Sequence, residues 1–167
     1  MSEFGETIVD FGSGKVPKVA ENLARMNPTS RVIALEKQGF SKRSKEKNLL
    51  KIIFSGEKDA VLPFAENSID KIFATFIFGP TSFNEYRKWV FEFARVAKKN
   101  PEGNIFLCET ALSKDNILRI TNEIGLKNTY EYQGYPTGSE WAREFEDFAF
   151  NAKDIYLIPN VMVFSKG

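Results

Sequence analysis

"TIVDFGSGKVP", residues 7–17, decides how this chain is read. Thr7, Ile8 and Val9 lead through Asp10 and Phe11 into Gly12, Ser13 and Gly14, which is the pattern of a short buried strand stopped by glycines. Pro17 suits the first turn of a helix, where its missing N–H is not needed. Val19, Leu23 and Met26 follow at helical spacing, with Ala20 and Ala24 beside them, until Asn27-Pro28-Thr29-Ser30 stops the run. A second strand, Val32 to Leu35, then closes on Glu36. The order is strand, glycine turn, helix, strand and acid.

The same alternation continues outward. Residues 37–50 are basic and then apolar, which predicts a loop and a short helix ending at Leu49-Leu50. A third strand is expected over 51–54 and a fourth over 71–78, "KIFATFIF", stopped by Gly79-Pro80. Tyr86, Trp89, Val90 and Phe93 mark a helix over 82–99. Ile105 to Cys108 is a fifth strand, and Ser113 can cap a helix running to Gly125. Beyond it, 128–132 reads as a strand, 139–150 as an aromatic helix and 160–165 as a final strand. Strands alternating with helices imply an α/β sheet, mostly parallel, with right-handed crossovers placing helices on both faces. Ligands in such sheets bind beyond the carboxyl ends of the strands, where strand order reverses. That rule gathers Gly12, Gly14, Glu36 and Asp59 around one crevice.

Composition narrows the chemistry. A chain of 167 residues, 43% apolar and 27% charged, fits one domain, 1–167, with a single sizeable core. There is no histidine, which removes histidine general bases, Ser-His-Asp and Cys-His catalysis and histidine-ligated zinc. Cys108 is the only cysteine, so intrachain disulfides and CxxC metal or redox motifs are excluded, and within an apolar strand it reads as a buried small hydrophobe. No metal site is expected. No apolar run approaches the roughly 20 residues of a membrane helix, and the opening Met-Ser-Glu-Phe-Gly lacks the basic-then-apolar pattern of a signal peptide. The expectation is a cytoplasmic protein with no membrane contact. The net charge of +1 gives no global attraction to nucleic acid.

The glycine turn allows several readings. A phosphate loop requires GxxxxGK[ST], and "GSGK" fails it twice, because Val9 stands where the first glycine belongs and Val16 where the hydroxyl belongs. A dinucleotide fingerprint requires GxGxxG. Gly12 and Gly14 fit and Glu36 lies near the place of a ribose-binding acid, but Pro17 occupies the third glycine position. The third reading is a resemblance. "VDFGSGKVPKVAENLA", "VIALEKQ" and "DAVLPFAENSIDKIFATF", in that order, resemble class I S-adenosylmethionine-dependent methyltransferases, and most closely a branch whose third motif reads roughly D-A-x-x-L-P-F-x-x-N-S-F-D. Here one residue is missing between Ala60 and Leu62, and Ile69 replaces the phenylalanine. The ending "PNVMVFSKG" is similar to the last strand of that family.

The resemblance implies a Rossmann-like doubly wound sheet of about seven strands, mostly parallel with an antiparallel strand near the C-terminus. It implies S-adenosylmethionine as cofactor and methyl transfer as the activity, with the acceptor and any catalytic residue unidentified. Gly12 and Gly14 would admit the methionine part of the cofactor, which needs no phosphate lysine. Asp10 matches the acid that opens the first motif. Glu36 would accept hydrogen bonds from the ribose hydroxyls, Asp59 with Ala60 would meet the adenine, and Phe76 or Phe78 would lie near the methyl group. Lys15 would meet the cofactor carboxylate or face solvent, and Val16 stands at the family's third glycine position. Catalysis would then rest on alignment rather than on an acid or base.

Each residue also has a plainer explanation. Asp10 can cap the glycine turn, Glu36 and Asp59 can be solvated loop acids, and Trp89, Phe91 and Phe93 suit packing better than a substrate cage. Lys37, Lys42, Arg43, Lys45 and Lys47 face only Glu46 within 37–47, a pattern of a solvated face or of phosphate contacts with RNA. Tyr86, Tyr132, Tyr135 and Glu140 are polar candidates on the substrate side, and 133–150 reads as a lid, a partner surface or a packed helix. Only six residues precede Thr7, whereas the family has covering helices there. An open site, weak cofactor binding, or cover by a protein partner or second copy is expected. The alternative function is a catalytically silent subunit of the same fold, acting in binding or assembly.

Overall fold

A computed structural model describes residues 5–41, 43–54, 61–75, 82–101, 104–110, 114–133 and 159–166. The elements run β1 (Thr7–Phe11), α1 (Lys18–Met26), β2 (Arg31–Glu36), β3 (Leu49–Ile53), β4 (Lys71–Thr75), α2 (Phe83–Val96), β5 (Ile105–Thr110), α3 (Lys114–Glu123), β6 (Leu126–Gln133) and β7 (Pro159–Lys166). They form a seven-stranded sheet in the order β3-β2-β1-β4-β5-β7-β6. Strands β1 to β5 pair in parallel, while β7 is antiparallel to both β5 and β6. The expected α/β sheet, doubly wound and Rossmann-like, is the sheet observed. Among the described residues no helix is long and apolar enough to cross a membrane.

Alternation along the strands sends successive side chains to opposite faces. On one face Val9, Phe11, Ile33, Leu35, Ile72 and Leu107 pack with Tyr86, Val90 and Phe93 of α2 and with Ile117 and Ile120 of α3. On the other, Ile8, Val32, Ala34 and Phe73 pack with Ala20, Leu23 and Ala24 of α1. The crossovers explain the division. The chain leaves β1 toward β2 and β3 on one side, then returns to start β4 on the other side of β1, so right-handed connections place α1 and α2 on opposite faces.

Local chemistry sets the helix ends. Ser82 and Glu85 form a capping box at the start of α2, with Ser82 Oγ accepting from the Glu85 N–H at 3.3 Å and Glu85 Oε2 accepting from the Ser82 N–H at 3.1 Å. The helix stops at Val96, short of the expected 99, because Ala97 turns extended and bridges to Ile69. At α1 the buried Pro17 stands just before Lys18, and its carbonyl accepts the Glu21 N–H at 2.9 Å.

One expectation is overturned. The described residues of 37–48 hold no helix, and Leu49 and Leu50 open β3, paired with Val32 and Ile33. Residues 41–48 carry no apolar side chain that a helix could bury. Phe40 instead packs against the α1-side cluster, with Lys51 Nζ 5.3 Å from its ring centroid. Asn48 fixes the start of β3: its Nδ2 lies 3.0 Å from Ala24 O, 3.0 Å from Asn27 O and 2.9 Å from Ser30 O.

Candidate functional site

Strand order reverses between β1 and β4, and the glycine turn leaves β1 at that point. Gly12 and Gly14 have φ of 70° and 74°, a left-handed region that glycine enters without the cost borne by other residues. The N–H groups of Gly12 and Ser13 both donate to Leu35 O, at 2.9 and 3.1 Å, which folds the turn over the end of β2. The Gly14 N–H donates to Glu36 Oε2 at 2.7 Å, and the Gln38 N–H donates to Glu36 Oε1 at 3.1 Å. Each carboxylate oxygen therefore keeps capacity for a further donor. A Cβ on Gly14 would meet nothing within 4 Å, so space is open beside the turn. Ser41 ties the following loop to it, donating through N–H at 2.9 Å and Oγ at 3.1 Å to Lys15 O.

Asp10 lies under this turn, 1% exposed, on the α1 side of β1. The Ala20 N–H in the first turn of α1 donates to its carboxyl, which makes Asp10 a helix-end acceptor rather than a cap of the glycine turn. Its Oδ2 has no hydrogen-bond partner among the described residues. Burial pushes the carboxyl up to about 7, the Ala20 N–H opposes that rise, and the nearby Glu36 carboxylate adds to it.

Asp10, Gly12, Gly14 and Glu36 thus come together at the carboxyl ends of β1 and β2. Asp59, Ala60, Phe76 and Phe78 lie outside the described residues, as do Lys42, Tyr135, Glu140 and the expected helix over 139–150; the side chain of Tyr132 is likewise not described. Lys15 is exposed, and Val16 is 44% exposed. Tyr86 is not on a substrate-facing surface. Its ring is buried beneath α2, and burial, with the Glu109 carboxylate nearby, pushes the phenol well above its ordinary range. Trp89 and Phe93 pack on Phe11, with ring centroids 4.8 and 5.1 Å from it, as core aromatics do. Cys108 is buried and its thiol is pushed up to about 12 by burial, so it is no nucleophile near neutral pH.

Two contacts went unread in the sequence. One is the Ser41 tie. The other joins α2 to the segment "VLPF" (61–64): Glu92 Oε2 accepts the Leu62 N–H at 2.7 Å, and Arg95 Nη2 donates to Leu62 O at 3.2 Å. The spacing of Glu92 and Arg95, three apart on a helix, was the available signal.

No family model matches the sequence, and no curated protein matches it. Solved structures do. The 16S rRNA methyltransferase KamB superposes with a TM-score of 0.65 at 15% identity, over 99% of this chain and 90% of that one. A SAM-dependent methyltransferase from Aquifex aeolicus gives 0.63 at 17% identity, over 98% and 84%. Geranyl diphosphate C-methyltransferase from Streptomyces coelicolor A3(2), in complex with S-adenosyl-L-homocysteine, gives 0.61 at 10% identity, over 99% and 75%. Identities this low speak to architecture alone, and on that evidence this chain has the fold of the S-adenosylmethionine-dependent methyltransferases.

Proposed function

We propose that the chain binds S-adenosylmethionine at the carboxyl ends of β1 and β2 and transfers its methyl group to an acceptor. The observation that carries this reading is the 2.7 Å bond from the Gly14 N–H to Glu36, which joins the glycine turn to the acid closing β2 at the point where strand order reverses. The residues fit the cofactor. Open space lies beside Gly14, Glu36 retains acceptor capacity for a ribose diol, and Asp10 holds a buried oxygen without a partner.

In this reading Gly12 and Gly14 let the backbone approach the methionine part, Asp59 and Ala60 meet the adenine, and Phe76 lies toward the methyl end. When bound, the cofactor supplies a methyl group on a sulfonium, whose positive charge favours transfer. The chain's own part is to hold the reacting atoms in line and to shield them from water. Isothermal titration with S-adenosylmethionine tests the reading. Micromolar binding that falls at least about tenfold in Glu36→Ala, where hydrogen bonds to a charged group are lost, is expected. No binding by the parent at millimolar cofactor refutes it. Cofactor binding without transfer, together with a stable complex by light scattering, is what a catalytically silent subunit predicts.

One observation favours an acceptor class. Lys37, Arg43, Lys45 and Lys47 are all exposed on the loop that Ser41 ties to the glycine turn, and Glu46 is engaged by Arg25 at 3.6 Å. Cations beside the crevice suit a phosphate backbone, and KamB is named for 16S rRNA. Binding to a structured RNA that weakens steeply with salt, with a shallower slope in Lys45→Ala/Lys47→Ala, would support RNA as the acceptor. Binding unaffected by salt would remove it.

A further inference from the structure

Asp10 and Glu36 are two acids on one face of the sheet. Asp10 stands opposite Ala34 in the pairing of β1 with β2, so Glu36 lies two residues further along the neighbouring strand. Side chains two apart on a strand share a face, and Ala34 packs on the α1 side. The two carboxyls are therefore diagonal neighbours beneath the glycine turn. Their surroundings differ. Glu36 is partly exposed and accepts from two N–H groups, those of Gly14 at 2.7 Å and Gln38 at 3.1 Å. Asp10 is buried and accepts the Ala20 N–H, and its Oδ2 has no partner among the described residues.

The elements packed against Asp10 bring it no positive charge. Its partners in register are Ala34 on β2 and Phe73 on β4. From α1 it meets Ala20, while Lys18 is exposed. Lys51 of β3, opposite Ala34, turns to Glu21 of α1 at 3.7 Å. Lys15 on the turn is exposed. The charge that acts on Asp10 is Glu36, and it has the same sign. Burial and a like-charged neighbour both disfavour ionisation, and together they outweigh the Ala20 N–H and push the carboxyl up to about 7. A ligand that carries a positive charge to this place reverses the balance, because it is a counter-ion for the oxygen that has no partner.

We propose that the empty site holds a proton on Asp10 and that a cationic ligand seated at the glycine turn displaces this proton to solvent. The O–H bond of the Asp10 carboxyl breaks, the proton passes to water, and the carboxylate so formed balances the ligand's charge. Asp10 thereby sets specificity, favouring ligands with a positive group at the turn, and favouring them more as pH rises to about 7. The proposal rests on the cofactor reading, in which the methionine part, with its ammonium group, lies at Gly12 and Gly14.

The test is calorimetric titration in buffers of different ionisation enthalpy, which counts protons released on binding. Three probes separate charge from shape: S-adenosylmethionine, S-adenosylhomocysteine, which keeps the ammonium but lacks the sulfonium, and methylthioadenosine, which has neither. S-adenosylhomocysteine should release about one proton at about pH 6 and close to none at about pH 8, and its affinity should rise by up to about tenfold per pH unit below about pH 7. S-adenosylmethionine should behave alike. Methylthioadenosine should release none and bind equally across this range. In Asp10→Asn the release and the pH dependence are both lost. In the free protein the Asp10 carboxyl carbon resonance, assigned with that variant, should titrate at about 7 and move to lower pH when S-adenosylhomocysteine is bound. Glu36→Gln should lower the midpoint of the free protein, because the like charge is gone.

Binding of S-adenosylhomocysteine with no proton released, or equal release by methylthioadenosine, overturns the proposal and leaves the cofactor reading standing. A free Asp10 that titrates in the ordinary carboxyl range does the same. If none of the three probes binds the parent, the cofactor reading falls and this proposal falls with it.

Discussion

At the amino ends of the parallel strands, polar groups close on one another. Asp70 accepts the Thr7 N–H at 2.8 Å and Lys98 Nζ at 2.6 Å, and Lys71 pairs with Glu6 at 2.9 Å. Lys166 Nζ donates to Asn67 Oδ1 at 2.8 Å, and Asn48 gathers the carbonyls at the end of α1. At the carboxyl ends of β1 and β2 the chain does the reverse. It spends two left-handed glycines, buries an acid with one oxygen unpartnered, and leaves a carboxylate half used. The amino side has its own orphan, Asn104 Oδ1, but that group is neutral and its amide nitrogen bridges Asp70 O and Lys98 O. The difference teaches where stability has been conceded. The amino end has a left-handed residue too, Asn67 with φ 52°, but Lys166 bonds its side chain; the buried acid with an unpartnered oxygen and the half-used carboxylate gather at the other end, as expected when that end must receive a ligand.

The largest expected effect comes from removing the buried charge. With a folded value of about 7 against 3.8 for a free carboxyl, Asp10 favours the protonated state of the native protein. Its contribution therefore falls as pH rises from about 4 to about 7 and is flat above that. Asp10→Asn should raise stability at pH 8 by up to about 4 kcal/mol relative to the parent, and by much less near pH 4. Urea unfolding of both proteins at the two pH values checks this. A variant less stable than the parent at pH 8 would mean that the carboxylate has a partner in solution, and the contrast between the two ends would break.

Next, Asn48→Ala should cost about 2 kcal/mol, because carbonyls at the end of α1 lose their donor. Chemical denaturation reads it, and a cost near zero would show that water replaces the amide at little loss. Glu36→Ala should change stability by less than about 1 kcal/mol, since two partly exposed N–H groups can turn to water; a much larger drop in the melting profile would make Glu36 a structural brace. Smallest of all, Ile53→Lys on the edge strand β3, where Ile53 is 67% exposed, should shift stability by no more than about 0.5 kcal/mol. A larger loss by thermal melting would show that this edge is covered in solution.

How far the sequence reached depended on the range of the forces involved. Ile8-Val9, Val32 to Leu35 and Ile105 to Leu107 are β-branched or apolar runs that read as buried strands, and their alternation with α1 and α2 pointed to a mostly parallel sheet, while its seven strands and antiparallel member came from the family resemblance. The stretch before β3 misled, because Leu49-Leu50 following a charged run looks like the end of a helix. What separates the cases is a pairing with Val32 and an amide anchored 18 to 24 residues away, neither of which is periodic. Glu36 was legible as an acid in the right place, but not as an acid already held by Gly14. Asp10 was legible as a motif residue, but its bond to Ala20 depends on how α1 lands on β1. Glu92 and Arg95 went unread, because nothing local shows that the peptide unit of Leu62 meets them.

Cys108 has a practical consequence. A thiol pushed up to about 12 by burial stays protonated at pH 8, and Cys108 is buried on β5. Disulfide reagents can reach it only when the strand comes out. Because the chain has no second cysteine, the rate of that reaction at rising reagent concentration reads the opening of the sheet under native conditions, without denaturant and without an added label.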